Sequence, residues 1–92
     1  MKSNTEIKKG RGILYFSAPW CEPCQQLGPV MSGLAKEGVP VSKINIDYDV
    51  TNVERYNIKS VPTLILIDST QNEIKRSVGG GDREGILNWF NS

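Results

Sequence analysis

Two unbroken apolar runs, Ile13–Phe16 and Thr63–Ile67, constrain this chain more than anything else in it. A β-prone run with no polar alternation reads as a strand buried on both faces. Such strands need cover from two sides, and the segments between them must supply it. Gln25–Glu37 has the pattern of a helix, since Leu27, Val30, Met31, Leu34 and Ala35 share one face. Pro29 lies inside this stripe, which continues in phase beyond it, so the proline kinks the helix rather than ending it. Gly38 and Pro40 stop it. Val41–Asp47, alternating through Ile44 and Ile46, reads as a second strand, and Thr51–Tyr56 as one or two helical turns. Asp68–Asn72 is turn-prone, and Glu73–Val78 alternates through Ile74, Arg76 and Val78 as a half-exposed strand does. Beyond Gly79–Gly81, Asp82 is placed to cap a last helix whose apolar positions are Ile86, Leu87, Trp89 and Phe90, the last two read as core. The order β-α-β-α-β-β-α opens with a strand–helix–strand unit, which predicts a parallel pair with a right-handed crossover. The third and fourth strands are close enough for an antiparallel hairpin. The expected fold class is α/β, a mixed four-stranded sheet flanked by helices, in a single domain over residues 1–92.

Composition excludes several kinds of function. Eleven Lys and Arg against ten Asp and Glu leave a net charge of +1, without the basic excess that nucleic acid or an anionic membrane surface attracts. No apolar stretch approaches the roughly 18 residues of a membrane span. The chain has no histidine and two cysteines. Ser-His-Asp and Cys-His nucleophilic sites are therefore absent, and so is every zinc site that needs imidazole or four thiolates from one chain. The expectation is no metal within one chain. The polar segment 1–12 is expected to be a short helix or a frayed end. It lacks the apolar stretch of a secretory signal, so the cytoplasm is the expected location. A monomer is the expected state.

The chemistry is concentrated in Ala18-Pro19-Trp20-Cys21-Glu22-Pro23-Cys24, where the first strand gives way to the long helix. A disulfide between Cys21 and Cys24 closes so small a loop that it restrains little of the unfolded chain. Unpaired N–H groups and the positive end of the helix dipole favour a thiolate at this position. Cys21, at the start of the turn, is expected to be the more exposed sulfur, with Cys24 one helical turn beneath it. The spacing suits thiol–disulfide exchange: Cys21 attacks a disulfide, a mixed disulfide forms, and Cys24 attacks Cys21 to release the reduced product. Two other readings of the pair stay open, namely metal ligation between two chains and an inert structural bond. A binding module using the fold only as a surface is a third alternative, and a Cys21→Ser variant separates it from an exchange enzyme.

Trp20-Cys21-Glu22-Pro23-Cys24 resembles the Trp-Cys-Gly-Pro-Cys site of the thioredoxin family, with Glu22 in place of glycine. Pro29 matches that family's helix-kinking proline, and Val61-Pro62-Thr63 resembles its cis-proline segment. Lys43-Ile44-Asn45-Ile46-Asp47 is similar to its Lys-x-Asn-x-Asp strand, and Val78-Gly79 to the pair bordering its substrate groove. The resemblance covers residues 13–92 and implies a thioredoxin-like fold and a protein-disulfide reductase. Under it Cys21 is the nucleophile and Cys24 the resolving thiol, while Trp20, Val61, Pro62 and Gly79 form the lip that receives substrate. Tyr15, Glu22, Pro23 and Lys43 are the residues expected to modulate the pair. No bound cofactor is implied, because the redox-active Cys21–Cys24 disulfide holds the electrons. Implied partners are disulfide-containing proteins and a flavin-containing, NADPH-dependent thioredoxin reductase, or glutathione.

Several positions carry expectations of their own. The family's buried aspartate falls at Tyr15, and a phenol keeps its proton at neutral pH, where a carboxylate can accept one. Slower or more base-dependent resolution by Cys24 follows, unless Tyr15 is plain core. Glu22 adds a negative charge that disfavours the Cys21 thiolate slightly. Ser17 replaces an aromatic residue common in the family. Lys43 is either beneath the site or an exposed strand lysine. Finally, Gly79-Gly80-Gly81-Asp82 resembles the Gly-Gly-x-Asp region with which glutaredoxins hold glutathione, which makes a glutaredoxin-like reductase the alternative.

Overall fold

The computed structural model describes residues 6–92. The elements are β1 (Arg11–Ser17), α1 (Glu22–Lys36), β2 (Val41–Asn45), α2 (Val50–Arg55), β3 (Thr63–Asp68), β4 (Glu73–Val78) and α3 (Arg83–Asn91). They form one sheet in the order β2-β1-β3-β4. β1 and β2 are parallel, with Tyr15 opposite Lys43 and Phe16 opposite Ile44. β3 runs antiparallel to both β1 and β4, so the sheet is mixed as expected.

The two apolar runs are the central strands, and their side chains divide between two cores. Ile13, Tyr15, Leu64 and Leu66 pack with Leu27, Met31 and Leu34 of α1 and with Ile86, Leu87 and Phe90 of α3. Phe16 and Ile65 point the other way and pack with Ile44 and Tyr56, flanked by Val53 and Ile58 of the α2 region. This alternation across one strand is why neither run has a polar face. β4 behaves differently, because Lys75 and Ser77 occupy its covered positions while Ile74 and Val78 stay exposed. The stem of Lys75 lies against α3, its ammonium 5.7 Å from the Trp89 ring centroid. Trp89 itself is only half-buried, at the rim of the core rather than inside it.

Helix α1 begins at Glu22, three residues ahead of the expected start at Gln25 and five ahead of its apolar stripe. Its start is set by capping, which hydrophobic periodicity does not register: Cys21 is the N-cap and Pro23 sits in the first turn, where no N–H is needed. The helix continues through Pro29 and ends where Gly38, at φ +109°, takes a left-handed conformation and donates to the Ala35 carbonyl.

The expectation for residues 1–12 needs correction over the part described; residues 1–5 lie outside it. Residues 6–10 form no helix, and they are not loose. Ile7 packs on the α1/α3 core, the Lys8 N–H donates to Asn91 Oδ1 (2.9 Å), and Asn91 Nδ2 donates to the Glu6 carbonyl (2.6 Å). Arg11 and Gly12 already belong to β1. Arg11 is ordered there because its guanidinium donates to the carbonyls of Phe90 and Ser92, where the C-terminus of α3 leaves acceptors unpaired.

Candidate active site

The chain leaves β1 at Ser17 and turns through Ala18-Pro19-Trp20 into α1. The turn is held by backbone and side chain together: Cys21 N–H donates to the Ala18 carbonyl (3.2 Å) and Gln25 Nε2 to the Pro19 carbonyl (3.0 Å). Cys21 Sγ accepts the Cys24 N–H at 3.2 Å, so the nucleophile candidate is itself the helix cap. Sulfur at this point meets the Cys24 N–H and the positive helix end, both of which stabilise negative charge. Glu22, exposed in the first turn, competes for the same field.

Cys21 and Cys24 are joined as a disulfide with their Cα atoms 5.2 Å apart. Both are well covered, Cys21 at 6 % exposure and Cys24 at 2 %, within a small cluster with Ala18, against which Ile46 and Val61 pack. The Val61–Pro62 peptide is cis. Pro62 is buried, and its carbonyl accepts the Gly79 N–H at 2.9 Å, which joins the end of β4 to the start of β3. Gly79 has φ +95°, a conformation that favours glycine.

Trp20 is 67 % exposed, and its indole Nε1 donates to Asp47 Oδ2 at 3.1 Å. Asp47 follows β2 and is placed by its own N–H, which donates to Asn45 Oδ1 (2.9 Å). Two residues on, Asp49 caps α2; hydrogen bonds from the Asn52 side chain and then its backbone hold the Asp49 carboxyl below its ordinary value. The exposed side chains of Tyr48 and Val50 enlarge the apolar surface of this loop. Asp47 stands in the quoted Lys-x-Asn-x-Asp segment, yet nothing in the sequence paired it with Trp20. Ile46, Tyr48 and Val50 gave no functional signal, because an apolar residue in a loop does not declare whether it is covered.

Tyr15 is 1 % exposed, and its hydroxyl donates to the Cys24 carbonyl at 2.9 Å. It is therefore core and hydrogen-bond partner at once. Lys43 is exposed and lines an open groove of about 280 Å³ with Ser17, Ala18, Pro19, Gln25 and Asn45. Pro23 and Asp82 lie on another groove, at the α1–α3 side. In the turn Gly79–Asp82, the Asp82 carboxylate accepts the Gly85 N–H (2.8 Å) as the cap of α3. That carboxylate occupies the helix start at which a ligand carboxylate would have to bind, so the glutathione alternative gains nothing from the geometry. Among the described residues there is no group of three or more His, Cys, Asp or Glu able to hold a metal, and no helix long and apolar enough to cross a membrane.

A model of the thioredoxin family matches residues 2–92. The chain belongs to the thioredoxin family. It is 41 % identical over 87 residues to a thioredoxin of Chlamydia pneumoniae, covering 92 % of this chain and 84 % of that one. It is 34 % identical over 89 residues to thioredoxin H3 of Arabidopsis thaliana, covering 95 % and 73 %. Among solved structures, a mutant thioredoxin from Halobacterium salinarum NRC-1 superposes with a TM-score of 0.82 at 30 % identity, covering 89 % of this chain and 73 % of that one. The four-stranded sheet with its three helices is thus a thioredoxin-like fold, and a thioredoxin with its CxxC pair in place is a thiol–disulfide oxidoreductase.

Proposed function

We propose that this thioredoxin reduces disulfides in other proteins by dithiol–disulfide exchange, with Cys21 as nucleophile and Cys24 as resolving thiol. The observation that carries the reading is the disulfide at the head of α1, its outer sulfur also the helix cap and Val61 packed against the pair. In the reduced protein the Cys21 thiolate attacks one sulfur of the substrate disulfide and expels the other as a thiolate. Cys24 then loses its proton and attacks Cys21 Sγ, which expels the second substrate thiolate and forms the Cys21–Cys24 bond. The substrate gains two electrons and the protein loses two. Holding both thiols on one helical turn makes the second step intramolecular and fast.

Trp20, Val61, Pro62 and Gly79 form the substrate lip in this reading. The backbone of Val61 pairs with an extended substrate segment, and Trp20 on its Asp47 tether supplies an apolar flank. Electrons return from NADPH through a flavin-containing thioredoxin reductase. The test is NADPH consumption by the oxidised protein with a thioredoxin reductase, a disulfide substrate and no glutathione. Steady consumption that disappears in Cys21→Ser supports the reading. No consumption, with turnover restored by glutathione, overturns it in favour of the glutaredoxin-like alternative.

A further inference from the structure

Cys24 is buried, and no acidic side chain is buried with it. All ten Asp and Glu residues lie within residues 6–92, and each is exposed or half-exposed. On the elements around Cys24 the candidates are Glu22, exposed at the first turn of α1, Asp47, bonded to the Trp20 indole, and Asp82, spent on capping α3. The other titratable groups there are Tyr15 from β1 and Lys43 from β2, with Tyr48 and Lys59 exposed on the flanking loops. The β3 side presents Val61 and Pro62, which do not titrate. Among the titratable side chains of the described residues, Tyr15 is the one with a buried hydrogen bond to Cys24, and its proton is committed to the Cys24 carbonyl. To accept a proton the phenol would first have to lose its own, and that hydrogen bond would go with it.

Resting on the exchange reading above, we propose that Tyr15 is a positioning residue for the resolving step. Its hydroxyl fixes the Cys24 backbone, and through it the line of approach of Cys24 Sγ to Cys21 Sγ. The Cys24 proton leaves to solvent rather than to an internal base. Resolution then follows the thiolate fraction of Cys24, and its rate climbs about tenfold per pH unit below the thiol's titration.

The experiment mixes reduced protein with one equivalent of dithiobis(nitrobenzoate). Attack by Cys21 releases one coloured thionitrobenzoate, and attack of Cys24 on the mixed disulfide releases a second. The second phase is unimolecular, so protein concentration separates it from the first. Two results are expected together: a second-phase rate rising about tenfold per pH unit from about pH 6 to 8, and a Tyr15→Phe variant with the same slope, an unchanged first phase and a second phase several-fold slower. A Tyr15→Asp variant that folds gains a flatter profile, because it restores an internal acceptor. A wild-type second phase independent of pH overturns the proposal, as does a Tyr15→Phe variant that slows both phases alike or neither. If Tyr15→Asp fails to fold, the wild-type slope and the Phe variant still decide. Absence of any Cys21-dependent first phase defeats the exchange reading itself, whereas an intact first phase confines the failure to Tyr15.

Discussion

Trp89 and Phe90 are neighbours on α3 that read alike in sequence, and the structure separates them. Phe90 has no exposed surface and lies among the residues of α1, β1 and β3, whereas Trp89 is half-buried beneath Lys75. Phe90→Ala removes a fully buried ring and leaves a cavity that the rigid surroundings only partly fill, a loss of about 3–5 kcal/mol. Trp89→Ala gives up roughly two-thirds or more of the roughly 200 Å² that such a ring buries when covered, about 130 Å² upward or at least about 3 kcal/mol at 25 cal/mol per Å². Alanine's higher helix propensity returns about 0.5 kcal/mol, and solvent fills the site, so no cavity term is added. The net loss is about 3 kcal/mol, at the lower end of the Phe90 range because the cavity term is missing. A domain of 92 residues has a total stability of roughly 5–14 kcal/mol, so the Phe90 variant stands near the limit of folding. Urea unfolding of the oxidised variants, followed by far-ultraviolet circular dichroism of the backbone, measures both losses. The Phe90→Ala midpoint should fall further than the Trp89→Ala midpoint, with similar m-values. Equal midpoints, or a lower one for Trp89→Ala, would show that the packing of α3 has been read wrongly.

Asp82→Ala removes the cap of α3 and should cost about 1 kcal/mol, or about 4–8 °C in melting temperature, with the exchange rate unaffected. An unchanged melting temperature would count against the cap. Gly79→Ala forces a Cβ into the left-handed region and should cost about 1–2 kcal/mol; equal stability in thermal unfolding would contradict the positive φ. Glu73 is held below its ordinary carboxyl value chiefly by its hydrogen bond with Arg76, and Asp68 by its bond from Thr70. Depressed folded-state values mean that their contribution is present above the unfolded pKa and is lost as pH falls through the folded one. The urea midpoint should therefore drop on acidification below about pH 4.5, less steeply in Glu73→Gln; an identical acid slope in that variant would refute the assignment.

Much of this fold was legible because its strongest signals are local. The continuous runs at 13–16 and 63–67 announce two-sided burial, and the stripe from Leu27 to Ala35 announces a face. What periodicity could not supply was the start of α1, because Cys21, Glu22 and Pro23 are capping positions with no apolar rhythm. Nor could it orient β4. Ile74 and Val78 alternate correctly, but the covered side of that edge strand is filled by the aliphatic stem of Lys75, which hydropathy counts as polar. Trp89 misled for the complementary reason, its size suggesting a full burial that the rim position grants only in part. In the site, single residues were legible and their couplings were not. Tyr15 against the Cys24 carbonyl, Trp20 against Asp47 and Gly79 against the Pro62 carbonyl all join residues distant along the chain.

Those couplings converge because the topology brings four strand ends to one end of the sheet. β1 and β2 are parallel, so Ser17 and Asn45 both end there, followed by the cysteine turn and by the Asp47 loop. β3 is antiparallel to β1 and must begin there, which brings Val61-Pro62 to the disulfide; β4 then has to finish there, with Gly79 beside Pro62. Every residue of the proposed lip thus follows from strand direction, while the sulfur chemistry follows from the helix that starts at the same end. Tyr15 differs from all of these, because it reaches the cysteines from inside the sheet, two residues before β1 ends. A group in that place is buried, and it meets the pair at the Cys24 carbonyl. Under the proposed positioning role, a phenol there in place of a carboxylate changes one step: how the resolving thiol is held and where its proton goes.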